Sequence, residues 1–317
     1  MKKKDGKNEN IFKRFLKYIY FSYIPNSRDN IKQILIKILF LVCFVTLIVS
    51  ASYIANYFLT AREQESIIDD SRELWHSTQE NPDDDSEEEN DHNDSAQALL
   101  SKNPDFKGWI KINNTKIDNP IYQTTDNEYY LNHNQNRQSS VYGALYFDYK
   151  NKITENETDK NLIIYGHEMK NGSMFGTLKK LRTLSFYKQN PTIEFSTLYK
   201  TSTYKIYAIF VLNADKEDDG GYIYNIYRQN FVDDEDFDLW TGEAFERSII
   251  NTNVDVEYGD NIITLVTCSN DFENSRLVVM ARETREGESS SVDTSLASVN
   301  PNPRYPEIWY TERGLNK

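Results

Sequence analysis

Cys268, His167 and Arg276 are the three side chains whose types and surroundings fit a single chemistry, acyl transfer through a thioester. The 317-residue chain holds two cysteines. Cys43 lies inside a charge-free apolar stretch, and Cys268 ends the β-branched run Asn261-Ile-Ile-Thr-Leu-Val-Thr-Cys268. With a membrane between them the two never pair. Cys268 is then a lone thiol on an exported domain, where spare cysteines ordinarily become disulfides. Kept unpaired there, it is a candidate nucleophile.

A thiol of ordinary pKa about 8.5 needs a proton partner near neutral pH, and an imidazole of about 6.5 serves as one. His167 follows the apolar run Asn161-Leu-Ile-Ile-Tyr-Gly166, at a strand end beside a glycine, where a side chain faces a cleft. Arg276 comes eight residues after the thiol, across the polar turn Ser269-Asn-Asp-Phe-Glu-Asn-Ser275 and just before Leu277-Val-Val-Met-Ala281. Two antiparallel strands joined by that turn bring Cys268 and Arg276 together. A guanidinium there stabilises the oxyanion that builds on a carbonyl under thiol attack. The plainer readings are a buried apolar thiol and a surface arginine opening a strand. Of the other histidines, His76 and His92 fall in an acidic spacer and read as inert, and His133 sits in a polar loop.

The elements that must position these groups are mostly strands. Short apolar runs at Gly108–Ile112, Ala144–Phe147, Leu162–Tyr165, Thr192–Phe195, Tyr204–Leu212, Ile262–Thr267 and Leu277–Ala281 imply a mainly β domain with peripheral helices. Seven or eight strands with turns between them suggest a closed or nearly closed barrel. Helices are expected at Ala96–Leu100, Met174–Leu181 and near Glu235–Ile250, the last capped by Asp233 or Asp234.

Ahead of the strands, Ile38–Leu59 has 22 residues without a charge, enough for a hydrocarbon core that needs roughly 20. A cleaved signal peptide, with cleavage options at Ala51-Ser52 and Ala55, is the competing reading. Residues 1–37 hold ten Lys/Arg against three Asp/Glu, which keeps that end in the cytoplasm. Within it, Ile11–Ile24 mixes basic and aromatic residues and reads either as a helix on the inner membrane face or as a plain basic tail.

Residues 63–94 hold fourteen Asp/Glu against Arg72 alone, and the net charge of the chain is −13. This composition reads as a solvated spacer. The expected organisation is therefore a cytoplasmic tail at 1–37, a transmembrane anchor at 38–59, an acidic extracellular spacer at 60–94, a catalytic domain at 95–285 and an extension at 286–317. Glu80–Asp94 lacks the glycine turn and spacing of a calcium loop. The absence of a basic patch outside the tail disfavours nucleic acid as a partner.

Thr264-Leu-Val-Thr-Cys268 with Arg276, and Tyr165-Gly-His167 before them, resemble the sortases, membrane-anchored cysteine transpeptidases of Gram-positive bacteria. The likeness is to class B, through Met169–Phe175 after the histidine, Asp126–His133 and Gly143–Asn151. The long helix before the Cys268 strand is similar to an extra helix of that class. The resemblance covers about 95–285 and implies a closed eight-stranded barrel of the sortase type.

It also implies His167 as proton donor and acceptor, Cys268 as nucleophile and Arg276 as oxyanion and substrate clamp, with no metal or organic cofactor. Cleavage of a sorting signal after its threonine forms a thioacyl intermediate, which a peptidoglycan or lipid-linked precursor amine resolves. Asn127, Leu131 and Tyr165 match positions lining the signal groove. Tyr222 and Ile223 join them by order along the chain, and Val266 and Thr267 by adjacency to the thiol. Val266 stands where relatives often have serine, and Ser269 where some have an acidic residue, so both NPQTN-like and PPKTG-like signals stay open.

Alternatives are a pilin-polymerising sortase, a secreted cysteine endopeptidase and a non-catalytic receptor. An L,D-transpeptidase keeps its histidine within a few residues of its cysteine, whereas here 101 positions separate them. Tyr305–Tyr310, in the extension, has three readings: packing on the barrel, binding the wall or covering the site.

Overall fold

A computed structural model describes residues 5–77, 93–215 and 221–315 of the chain. Two compact units divide it, residues 1–63 and 64–317.

In the first unit, α1 (Asp5–Tyr23) contains most of the basic–aromatic stretch, and α2 (Ile31–His76) begins. Asn30 and Gln33 start α2 reciprocally, each side-chain oxygen accepting from the other's backbone N–H at 2.9–3.0 Å. That arrangement satisfies two of the orphan donors of a helix start. The charge-free run 38–59 lies wholly inside α2 with its side chains exposed, a candidate membrane span by length and composition.

The second unit takes the last turns of α2, which corrects the reading of 60–94 as all spacer. Gln64, Ile68, Ser71 and Trp75 are buried, at helical spacing. Trp75 stacks on Trp109 with ring centroids 5.1 Å apart. Arg72 Nε donates to the Asp118 carbonyl at 2.8 Å, and His76 Nε2 lies 3.2 Å from the Asp118 carboxylate. The acidic residues between these positions fill the solvent face, so their number masks an amphipathic period. His76, read as inert, is a structural anchor. Most of Glu80–Asp94, including His92, lies outside the described residues.

After α3 (Asn93–Lys102) come β1 (Phe106–Lys111), β2 (Asp118–Tyr122), α4 (Tyr129–Asn132), β3 (Leu145–Phe147) and β4 (Asn161–Tyr165). A 3-10 turn (Leu178–Arg182) leads to α5 (Leu184–Gln189), β5 (Thr192–Thr197), β6 (Thr201–Asn213) and α6 (Asp234–Arg247). The remainder is β7 (Ile250–Asn251), β8 (Ile262–Cys268), β9 (Ser275–Glu283), β10 (Ser298–Val299) and α7 (Glu307–Thr311). Eight strands close a barrel in the order β1-β2-β3-β4-β8-β9-β6-β5, with β5 returning to β1. Closure leaves no unpaired edge among them. β2–β3 and β4–β8 are parallel and the other barrel pairs antiparallel.

One buried cluster draws side chains from all eight strands, among them Ile110, Ile121, Leu145, Ile164, Ile193, Ile206, Leu265 and Val279, and is the barrel interior. A second lies outside, where Ile163, Phe210, Val266 and Val278 pack under Phe237, Trp240 and Ala244 of α6. β8 and β9 are thus covered on both faces, and their sequences run apolar almost without alternation. Asp233 caps α6, its carboxylate accepting from the Asp236 N–H at 2.9 Å. The helix expected over Met174–Leu181 is only the turn at 178–182, because Met174 sits at φ +52° in a bridge to Glu168, its side chain buried.

Candidate active site

Two parallel strands deliver the histidine and the cysteine. β4 and β8 pair through Tyr165 and Val266, and the Gly166 N–H donates to the Val266 carbonyl at 3.2 Å. His167 and Cys268 each follow that pair by two positions, Cys268 as the last residue of β8 and His167 just past the end of β4, so both emerge at the same barrel end. Across β8–β9 the partner of Cys268 is Arg276. Side chains alternate along a strand. Ile163 and Tyr165 therefore share a face, as do Val266 and Cys268, and Arg276 and Val278. Ile163, Val266 and Val278 belong to the outer cluster, which puts Cys268 and Arg276 on the outer face, with His167 two residues past the end of β4. The Cys268 thiol is free and exposed.

The imidazole is held by a backbone carbonyl. His167 Nε2 lies 2.7 Å from the Leu131 oxygen. A carbonyl only accepts, so Nε2 carries the proton and Nδ1 is the nitrogen left for exchange. Two glycines let the ring sit there. A Cβ on Gly143, at φ +58°, would come 2.5 Å from the Tyr130 oxygen and 3.2 Å from His167 Cδ2. A Cβ on Gly166 would come 2.3 Å from the Leu145 side chain. Behind the ring, the Phe175 N–H donates to the His167 carbonyl at 3.0 Å and fixes the following loop.

Arg276 is half-buried, its Nη1 donating to the Ser275 carbonyl at 3.0 Å. Its charge reaches two phenols. Burial pushes Tyr146 up, with Asp148 and Cys268 adding to the shift and Arg276 opposing it. Burial likewise raises Tyr227, again opposed by Arg276.

Beside them lies a carboxylate that sequence reasoning missed. Asp148 is 5% exposed. Its Oδ2 accepts from Tyr165 OH at 2.9 Å and Asn127 Nδ2 at 3.0 Å, and its Oδ1 from the Lys150 N–H at 2.9 Å. Asn127 Oδ1 in turn accepts from the Tyr149 N–H at 3.0 Å. Asp148 therefore ties two expected groove residues together. The only sequence signal for it was its place within Gly143–Asn151.

The other expected groove residues separate. Leu131 is exposed beside the site, and its carbonyl orients His167. Ile223 packs on the outer cluster together with Tyr165. Tyr222 donates its hydroxyl to Glu243 of α6 at 2.6 Å, away from the Asp148 network. Val266 is buried in the floor of that face. Thr267 alternates to the opposite face, its hydroxyl buried without a hydrogen-bond partner among the described residues. Ser269 donates its hydroxyl to Ser275 at 2.8 Å and so belongs to the loop's own structure.

A cavity of about 230 Å³ opens beside the thiol, lined by Glu168, Lys179, Arg182, Thr267, Cys268 and Asp271 among others. Lys179 pairs with Glu168 at 2.7 Å, and Arg182 reaches both Asp271 oxygens at 2.8 and 2.9 Å. A larger cavity of about 320 Å³ lies at the far end of the strands, near Leu162, Ile262 and Glu283, and touches none of the three groups.

Residues 110–284 match the family model of the sortase domain. The chain is 34% identical over 191 residues to sortase B of Listeria monocytogenes, spanning 60% of this chain and 74% of that protein. Over 188 residues it is 30% identical to sortase B of Staphylococcus aureus, spanning 59% and 73%. The crystal structure of sortase B from B. anthracis in complex with AAEK1 superposes with a TM-score of 0.60 at 27% identity, spanning 72% of this chain and 100% of that one. The barrel order, the parallel β4–β8 pair and these similarities agree, and the chain belongs to the sortase family, class B, whose members are cysteine transpeptidases.

Proposed function

We propose that this transpeptidase cuts a C-terminal sorting signal after threonine and transfers the protein to a peptidoglycan amine, anchoring surface proteins in the cell wall. The observation that carries this reading is the register that brings Cys268 opposite Arg276 and ends β4 beside β8 two residues before His167 and Cys268. Cys268 gives its thiol proton to His167 Nδ1, and its Sγ attacks the threonine carbonyl, forming an S–C bond. Arg276 steadies the oxyanion as charge builds there. The C–N bond breaks, and His167 protonates the departing amine from Nδ1. The incoming amine then attacks the thioester, gives its proton to His167 and releases Cys268. All of these proton transfers use one imidazole.

Asn127, Tyr165 and Leu131 border the face where the signal lies, which is of the NPQTN or PPKTG type. The apolar run within α2 anchors the enzyme in the membrane, its basic end in the cytoplasm and its barrel outside.

The test is to incubate the protein with each peptide type, with and without an amine acceptor, and to read the products by mass spectrometry. A peptide–amine product that Cys268→Ala abolishes is expected. Free acid as the sole product, even with amine present, would favour an endopeptidase.

A further inference from the structure

The chain beyond residue 284, where the family match ends, returns to the catalytic loop. After β9, β10 pairs antiparallel with β7. The next residues continue along the C-terminal end of α6. The Asn300 N–H donates to the Ile249 carbonyl at 2.9 Å and its Nδ2 to Ser248 O at 2.7 Å. The Arg304 N–H donates to the Glu246 carbonyl at 2.9 Å. The chain then folds on itself. Tyr305 and Trp309 stack with centroids 4.0 Å apart at 6°, and the Arg313 guanidinium lies 4.4 Å above the Trp309 ring. Arg313 Nη2 donates to the Asp271 carbonyl at 3.2 Å. The charges of Arg182 and Asp271 both act on the Tyr305 phenol.

Asp271 is three residues past Cys268 and five before Arg276. Its carboxylate is held by Arg182, from the turn that follows the His167 loop. Its neighbour Asn270 donates to Glu168, the residue after His167, at 3.1 Å. The loop joining the thiol to the guanidinium is therefore gripped on one side by the histidine segment and on the other by the C-terminal extension.

We infer that residues 300–315 are a strap holding the Cys268–Arg276 loop, with Arg313, Trp309 and Tyr305 as positioning residues for acyl transfer. None of them touches the reacting atoms. Their effect passes through Asp271 to the geometry of Cys268 and Arg276, where small displacements are costly in rate. The kinetic part rests on the transpeptidase reading, and the structural part does not.

The test uses full-length Arg313→Ala, Trp309→Ala and Arg313→Lys. Hydrogen exchange should quicken roughly tenfold at the amides of 269–275 in the two alanine variants, the loss of one charge-assisted hydrogen bond or its support. β4 and β6 should stay at the wild-type rate. For a signal peptide, kcat should fall about tenfold with KM unchanged, and Arg313→Lys should recover most of it.

Unchanged exchange at 269–275, or faster exchange spread evenly through the barrel, would overturn the strap. A loosened loop with wild-type kcat would overturn the positioning role. If the wild-type protein transfers nothing, the transpeptidase reading fails instead, and exchange together with the alkylation rate of Cys268 still decides the strap.

Discussion

His167 and Cys268 each lie two residues past Tyr165 and Val266, the last parallel pair of β4 and β8. Chain distance plays no part in this relationship, since the residues are 101 positions apart. A parallel register aims two side chains in one direction at one strand end. The antiparallel partner of Cys268 then adds Arg276 from the other side. Two strand residues and one just past a strand end come to a barrel end without a shared motif.

Arg276 is the member most sensitive to shape. Arg276→Lys keeps the charge and loses the planar fork, which a compact ammonium does not replace. The expected result is a loss of roughly 10²–10³ in kcat with the melting temperature nearly unchanged. Steady-state kinetics on a signal peptide measures it, and near-wild-type turnover would remove the clamp role.

Asp148 should matter to both binding and stability. Asp148→Ala strips the acceptor from Tyr165, Asn127 and the Lys150 N–H together. Hydrogen bonds to a charged group are worth about 1.5–3 kcal/mol each, so the loss of three should destabilise by about 4.5 kcal/mol or more in urea. KM should rise as Asn127 and Tyr165 are released. Tyr165→Phe removes a single one of these bonds and should cost about 1.5–3 kcal/mol. Equal effects from the two variants would mean that the carboxylate is no hub.

The end of α2 supports the barrel. Ile68 and Trp75 are 1% and 3% exposed, and burying such side chains contributes about 2–3 kcal/mol each. A chain beginning at Gln64 should therefore outlast one beginning at Ser95 by about 4 kcal/mol or more in thermal unfolding. Equal stability would show that the helix end docks without net gain.

What the sequence revealed follows from local pattern. The β-branched runs that became β4, β6, β8 and β9 announced themselves, as did the Asp233 cap and the glycine before His167. β2 did not, because it is short and carries Pro120. It is tolerated there since the pairing with β3 begins one residue later, at Ile121. Asp148 was hidden because its role is tertiary: the side chains of Asn127 and Tyr165 converge on it from separate segments. Thr267 was grouped with Cys268 by adjacency, yet successive strand residues face opposite ways. The Glu243 partner of Tyr222 on α6 was not legible, because order along a loop says nothing of it. The course of the extension to Asp271 depends on Arg304 and Arg313 finding partners far away in sequence, which no local period encodes.

Transfer through Cys268 requires a thioacyl bond on its sulfur. The direct measurement is to mix the protein with a sorting-signal peptide without amine, quench in acid, digest and weigh the fragments. The acyl mass is expected on the fragment containing Cys268, absent in Cys268→Ala and discharged when amine is added before the quench. An acyl group on any other residue, or full turnover by Cys268→Ala, would contradict it.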